Sequence, residues 1–355
     1  MDSSITILNQ NRTEFNFSKV KISSKYNIIL HCVYDLDNQF ESELAFLTNG
    51  TLTERDFVIL WHPVEMGAWD PIWMQKLDSI VNTAKFKLVY LTGCSHKLNI
   101  KEYINYSFDV KFFPIFDIRS KDINFSIQHP ININRNKKYM FINAKDTPHR
   151  RYILGSLIKN NLLNDGIVSY KCTEGFNPRN LDLNENLGYT QQQLKTADDL
   201  FLATEPYIPL LLKGIVNNYI RHLYQEPYVN IVGETHFSNR LYTFNTSFVT
   251  EKTFNAIANN QIFIVVGHTN SLDLLKSLGY KTFDSIVDES YDAIQDNGVR
   301  LETVAKEIIR FVSRPIEQIK EDYIKVIDII KHNRDLLLSQ DLTKRLQDFI
   351  NENYA

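Results

Sequence analysis

The sequence predicts an α/β fold: two Rossmann-like, doubly wound halves facing a cleft, with C-terminal helices crossing back. Three observations predict it. Apolar, β-branched runs of strand length recur along the chain. Stretches with apolar residues at helical spacing lie between them. The alternation then restarts after one polar, Asn-rich stretch, "SIQHPININRNKK" (126–138). Strands that lack an alternating polar face must be covered on both sides, as in a parallel sheet flanked by helices.

Taken in order, "YNIILHCVYD" (26–35), "DFVILWHP" (56–63), "FKLVYLTG" (86–93) and "VKFFPIF" (110–116) are β-branched or aromatic runs ending in turn residues, and predict strands. Between them "FESELAFLTN" (40–49) and "PIWMQKLDSIVNTA" (71–84) carry the helical period. Beyond the polar stretch, "YMFINA" (139–144) predicts a strand. "TPHRRYILGSLIKNNLL" (147–163) predicts a helix capped by Thr147, with Pro148 in its first turn, and "GIVSY" (166–170) a further strand. "PYIPLLLKGIVNNYIRHLYQ" (206–225) precedes the strand "YVNIVGE" (228–234). Last, "TVAKEIIRFVSRPIEQIKEDYIKVIDIIKHNRDLLL" (303–338) is amphipathic helix interrupted at Pro315. The expected domains are residues 1–130, residues 131–315, and a helical segment 316–355.

Composition narrows the function classes. A chain of 355 residues is long enough for two domains. Its formal charge of -3 comes from interspersed acids and bases, which argues against a surface built to coat a nucleic-acid backbone. Cys32, Cys94 and Cys172 have no metal-ligand spacing and predict free thiols in a reducing compartment. The first residues show no leader pattern, and apolar runs such as "IFIVV" fall short of the roughly 18 residues a membrane span needs. A cytoplasmic protein with no membrane span is expected. No Walker, G-x-G-x-x-G, G-x-S-x-G or H-E-x-x-H pattern occurs, which weakens hydrolase, dehydrogenase, esterase and zinc-protease readings. His222, His236 and His268 stand isolated. Asp35-Leu36-Asp37 has the D-x-D spacing of a metal-diphosphate site, but its place after a first strand does not suit that architecture. Neither metal nor cofactor is predicted.

The most informative stretch is "FVTEKTFNAIANNQIFIVVG" (248–267). Thr250 caps a helix, with Glu251 and Lys252 in its first turn and a fully apolar strand after it. A glutamate suits the partial positive charge of a helix start and a lysine does not. Exposed amides plus a lysine there suit an anion such as a diphosphate, and Glu251 suits the hydroxyls of a ribose or sugar. The competing account is that Thr250 and Glu251 only cap the helix and Lys252 is a solvated charge.

This stretch resembles the donor-binding segment of the α1,3-fucosyltransferase family, in which T-E-K opens a helix followed by a hydrophobic strand. The strand "YVNIVGETHF" (228–237) is similar to the element before it, with Glu234 matching the family's acid. Thr235 stands where the family has Asn, Phe248 where it has Tyr, and the intervening loop is longer. "KKYMFINAKDTPHRRYILGSLIKNN" (137–161) is similar to the family's strand, small loop and arginine that grips the diphosphate, the arginine being Arg150 or Arg151.

The resemblance implies a glycosyltransferase of the B-type fold with an N-terminal acceptor domain and a donor-binding second domain. Transfer would be inverting and metal-independent, from a nucleotide-diphosphate sugar, GDP-linked at first choice, to a hydroxyl acceptor. The donor-site residues it implies are Arg150, Arg151, Glu234, Phe248, Thr250, Glu251 and Lys252. A direct displacement also needs a base for the acceptor hydroxyl. The stretch "WHPVEMGAWDP" (61–71) offers Glu65 first, then Asp70 and His62, although the tryptophans there also suit a packed core. Two alternatives stay open: a transferase of this fold acting on modified bases of DNA, with a glycan as the ordinary acceptor otherwise, and a catalytically silent sugar-nucleotide-binding module.

Overall fold

The apolar runs form the central strands of two parallel sheets, one in each of two compact units, Met1–Ile118 with Gln340–Ala355, and Arg119–Ser339. A computed structural model describes residues 5–8, 27–32, 45–62, 71–93, 95–96, 106–114, 130–143, 147–170, 223–237 and 246–354. Asp35, Asp37, Glu65, Trp69, Asp70, Cys94, Cys172 and His222 lie outside the described residues, as do residues 40–44 and 206–222 of the two expected apolar stretches.

In the first unit β1 (Ile5–Leu8), β2 (Asn27–Cys32), β3 (Asp56–His62), β4 (Lys87–Thr92) and β5 (Asp109–Phe112) lie side by side in chain order, all parallel. The reversal of winding expected of a doubly wound half is therefore not seen among the described strands of this sheet. β3 runs through the middle, with Val58, Ile59 and Trp61 buried, whereas all four residues of β5 are half-buried, as an edge requires. Among the described residues of this part of the chain are the helices α1 (Ala45–Thr48) and α2 (Pro71–Thr83). α2 buries Met74, Leu77 and Val81, one face of a 3.6-residue period. The strand β1 was not anticipated, because four residues, three of them apolar, in polar surroundings give too short a run.

The second unit holds β6 (Lys137–Asn143), β7 (Gly166–Tyr170), β8 (Pro227–Gly233) and β9 (Ile262–Val266), parallel and in the order β9-β8-β6-β7. Here the winding does reverse: β7 is added on one side of β6, then β8 and β9 on the other. The switch point lies between β6 and β8. Every residue of β8 and β9 is buried, which explains the continuous apolar reading of both strands. At β7 a glycine is required by close approach, since a Cβ on Gly166 would stand 2.4 Å from the ring of Tyr139.

Among the described residues of this unit, the α-helices are α3 (Pro148–Lys159), α4 (Glu251–Ala258), α5 (Ser271–Ser277), α6 (Asn297–Val312), α7 (Ile316–Lys325) and α8 (Ile327–Ser339). The helical segment expected over 316–355 is shared between the units, because α9 (Leu342–Tyr354) belongs to the first. There it buries Leu346 and Ile350 and sets Phe349 edge-on against Phe113, itself edge-on to Trp61. Arg345 Nη1 donates to the Pro114 carbonyl at 2.6 Å. No helix among the described residues is long and apolar enough to cross a membrane.

The amino-terminal edge of the second sheet is closed by a buried arginine. Arg135 donates to the carbonyls of Tyr224, Pro227, Asn259 and Asn260 at 2.8–3.1 Å. A guanidinium has five donors and no acceptor, so a ring of main-chain carbonyls satisfies it without a counter-charge. The opposite, carboxyl-terminal edge is the one at which open α/β sheets bind ligands.

Candidate functional site

Four segments meet at that edge: the end of β6 with the start of α3, the residues after β8, the start of α4, and the residues after β9. Glu234, directly after β8, is fully buried. Its carboxylate accepts from the Thr250 amide at 3.1 Å, the Thr250 hydroxyl at 2.5 Å and the Thr253 hydroxyl at 2.6 Å. The start of α4 therefore receives its negative partner from the chain itself, 16 residues upstream, which satisfies orphan donors and complements the helix dipole. Glu234 is a clamp on α4 in this geometry, and it occupies both the amide and the hydroxyl of Thr250.

Thr250 is the N-cap, as expected: extended, with its hydroxyl oxygen accepting the Lys252 amide at 3.3 Å. Lys252 Nζ lies 2.9 Å from the Thr235 hydroxyl, 3.1 Å from the Thr250 hydroxyl and 2.9 Å from Glu251 Oε1. Both Lys252 and Glu251 keep 30% of their side chains exposed. This is a charged pair at the edge that solvent reaches. Phe248 is buried beside His236, with ring centroids 6.2 Å apart.

Arg150 and Arg151, in the first turn of α3, are both buried. Arg150 Nη2 donates to the carbonyls of Gly233 and Glu234 at 2.9 and 3.0 Å, so its guanidinium ties α3 to the end of β8. Thr147 precedes the helix in an extended conformation, with Pro148 following, but its side chain makes no capping hydrogen bond.

Sequence reasoning missed His149 and Arg300 at this edge, and did not bring His236 and His268 together. His149 is buried, donates from Nε2 to the Glu234 carbonyl at 3.0 Å and stacks on Phe237. Burial first, then the neighbouring Arg150 charge, pushes its pKa well below the ordinary histidine value, so the ring is neutral. His236 and His268, isolated in sequence, come within 6.2 Å of each other. Arg300, inside α6, is 1% exposed and donates to the carbonyls of Phe237, Ile294 and Gly267, while lying over the Phe237 ring. It fixes the segments after β8 and β9. In sequence it looks like any charged residue on an amphipathic helix.

His62 ends β3. The other base candidates, Glu65 and Asp70, lie outside the described residues. In the first unit a groove of about 1020 Å³ is lined by Thr53, Arg55, Ser79, Thr83, Lys85 and Phe86, at the amino ends of β3 and β4 and thus on the edge away from ligand-binding ends. Among the described residues no group of three or more His, Cys, Asp or Glu is placed to hold a metal ion.

The sequence matches no protein-family model, and no curated protein resembles it in sequence. Among solved structures, the fold is similar to the UDP-forming α,α-trehalose-phosphate synthase of Burkholderia xenovorans, at 11% identity over 92% of this chain and 74% of that one, with a TM-score of 0.44. The corresponding enzyme of Burkholderia vietnamiensis gives 10% identity over 93% and 74%, with a TM-score of 0.46. A mutant of the T4 phage BGT protein in complex with UDP-glucose gives 9% identity over 93% and 83%, with a TM-score of 0.37. The assignment of two parallel α/β sheets rests on the strand pairing itself, and these distant likenesses bear on no residue of the site.

Proposed function

We propose that the protein is a nucleotide-sugar-dependent glycosyltransferase of the B-type fold that moves a sugar from a nucleotide-diphosphate donor, GDP-linked at first choice, to a hydroxyl acceptor, with inversion and without a metal. The observation that supports this most is the Glu251–Lys252 pair: one cation and one anion, both part-exposed, held at a helix start on the carboxyl edge of a parallel sheet whose winding reverses beside it. Lys252 supplies positive charge to the departing diphosphate, in the manner of preorganised electrostatic stabilisation. Glu251 accepts from sugar or ribose hydroxyls. The acceptor oxygen forms a bond to the anomeric carbon as the bond from that carbon to the diphosphate breaks, and the acceptor proton passes to a base from residues 62–70, Glu65 first. The T-E-K resemblance supports the same reading.

One observation favours a catalytically silent binding module instead: the Arg150 Nη2 group expected on the diphosphate is engaged with main-chain carbonyls. Calorimetric titration with GDP, UDP, ADP and CMP, with and without EDTA, tests binding. Slow hydrolysis of the matching nucleotide sugar without acceptor then separates enzyme from binder. Failure of all four nucleotides to bind overturns the proposal.

A further inference from the structure

At the switch point itself, where β6 and β8 part, β6 ends in Asn143. Asn143 is 2% exposed, and among the described residues neither its Oδ1 nor its Nδ2 makes a hydrogen bond. A buried carboxamide with both ends unmatched is destabilising, and proteins rarely keep one without a use for it. The neighbouring strand leaves room for this amide: a Cβ on Gly233 would lie 2.8 Å from Asn143 Oδ1 and 3.2 Å from Arg150 Nε, so any other residue at 233 would force one of them to move. Asn143 thus lies against the end of β8, in the position where open α/β sheets meet their ligands.

The chemistry of the amide selects the partner. A phosphate carries acceptors only, so it would satisfy Nδ2 and leave Oδ1 unmatched. A partner that answers both atoms must present a hydrogen-bond donor beside an acceptor. Within a nucleotide sugar that description fits the edge of a nucleobase, which a carboxamide pairs with through two bonds at once, and a vicinal diol. We infer that Asn143 is a specificity-determining residue of the donor site, which pairs through both ends of its carboxamide with a donor–acceptor edge of the nucleotide rather than with its diphosphate. This inference rests on the transferase reading and adds to it a division of labour: Lys252 for charge, Asn143 for identity.

Asn143→Leu is the decisive variant, because leucine has nearly the same shape and neither polar atom. Wild type and N143L are titrated with the nucleotide that binds tightest among GDP, UDP, ADP and CMP, and with its 2′,3′-dideoxy form, and thermal unfolding is measured without nucleotide. The expected result is a Tm for N143L equal to or above that of the wild type, with affinity reduced about tenfold or more, the loss of one net charge-free pair of bonds. If the dideoxy form binds wild type and N143L equally, the partner is the ribose diol. If N143L still loses affinity for it, and the preference among the four nucleotides flattens, the partner is the base. Unchanged affinity overturns the inference alone, as does weaker affinity with a lowered Tm, which makes the amide a structural part. If N143L does not fold, N143A is titrated under the same tenfold criterion. Absence of nucleotide binding in the wild type overturns the transferase reading, and this inference with it.

Discussion

The Glu234 carboxylate holds the Thr250 hydroxyl at 2.5 Å and the Thr250 amide at 3.1 Å, binding the end of β8 to the start of α4. Together with the Thr253 hydroxyl, three donors converge on one buried acid. Glu234→Ala would leave those donors buried and unmatched, and is expected to destabilise the protein by about 3–5 kcal/mol. Glu234→Gln keeps one acceptor and should lose clearly less. Urea unfolding of the two variants measures this. Equal, small losses in both would mean that the carboxylate is not the clamp described.

Lys252 is different in kind, being part-exposed and bonded through Nζ to the side chains of Thr235, Thr250 and Glu251 on its own edge. Lys252→Ala is expected to leave the unfolding midpoint nearly unchanged and to weaken nucleotide binding by about 1.5–3 kcal/mol, the size of a charge-assisted hydrogen bond. Calorimetry decides it. Wild-type affinity in the variant would remove Lys252 from the donor site.

What the sequence made legible was the periodic part. The runs 56–63, 86–93, 228–234 and 261–267 were readable as strands because their burial is continuous, and Thr250 was readable as a cap because capping is local. The site was half legible. Glu251 and Lys252 announce themselves as neighbours at a helix start. Glu234 showed as an acid after a strand, but the donors it serves lie 16 and 19 residues away, and only the fold brings them to it. Asn143 and Arg300 gave no signal at all, since an asparagine ending a strand and an arginine in an amphipathic helix are ordinary until strand order places one at the switch point and packing buries the other.

His149 confers acid sensitivity on the same edge. Its folded pKa is depressed, so the folded state binds fewer protons than the unfolded one below the ordinary value of 6.5. Its contribution to stability is present above that pH and is lost as pH falls through and below it. The groups facing the ring include Arg150, His236 and His268, all of which oppose a positive charge there. His149→Phe keeps a ring against Phe237 and removes the titration. Unfolding midpoints measured between pH 7.5 and 5 should fall less steeply in this variant than in the wild type, and parallel curves would place the acid sensitivity elsewhere.

Asp292 carries the opposite sign. Its carboxylate caps α5 by accepting from the Leu272 and Asp273 amides at 3.0 and 3.3 Å, yet burial pushes its pKa up from 3.8 to about 6. Between those values the folded state holds a proton that the unfolded state has released. The associated stability is therefore complete below about pH 4 and is lost as pH rises through 6. A shift of this size corresponds to at most about 3 kcal/mol. Asp292→Asn keeps an acceptor for the helix start and cannot ionise. The stability of this variant relative to the wild type should thus increase from pH 4 to pH 7, by up to about 3 kcal/mol. A difference that stays flat across that range, measured by chemical unfolding, would show that Asp292 is ionised throughout and that its two amide hydrogen bonds outweigh its burial.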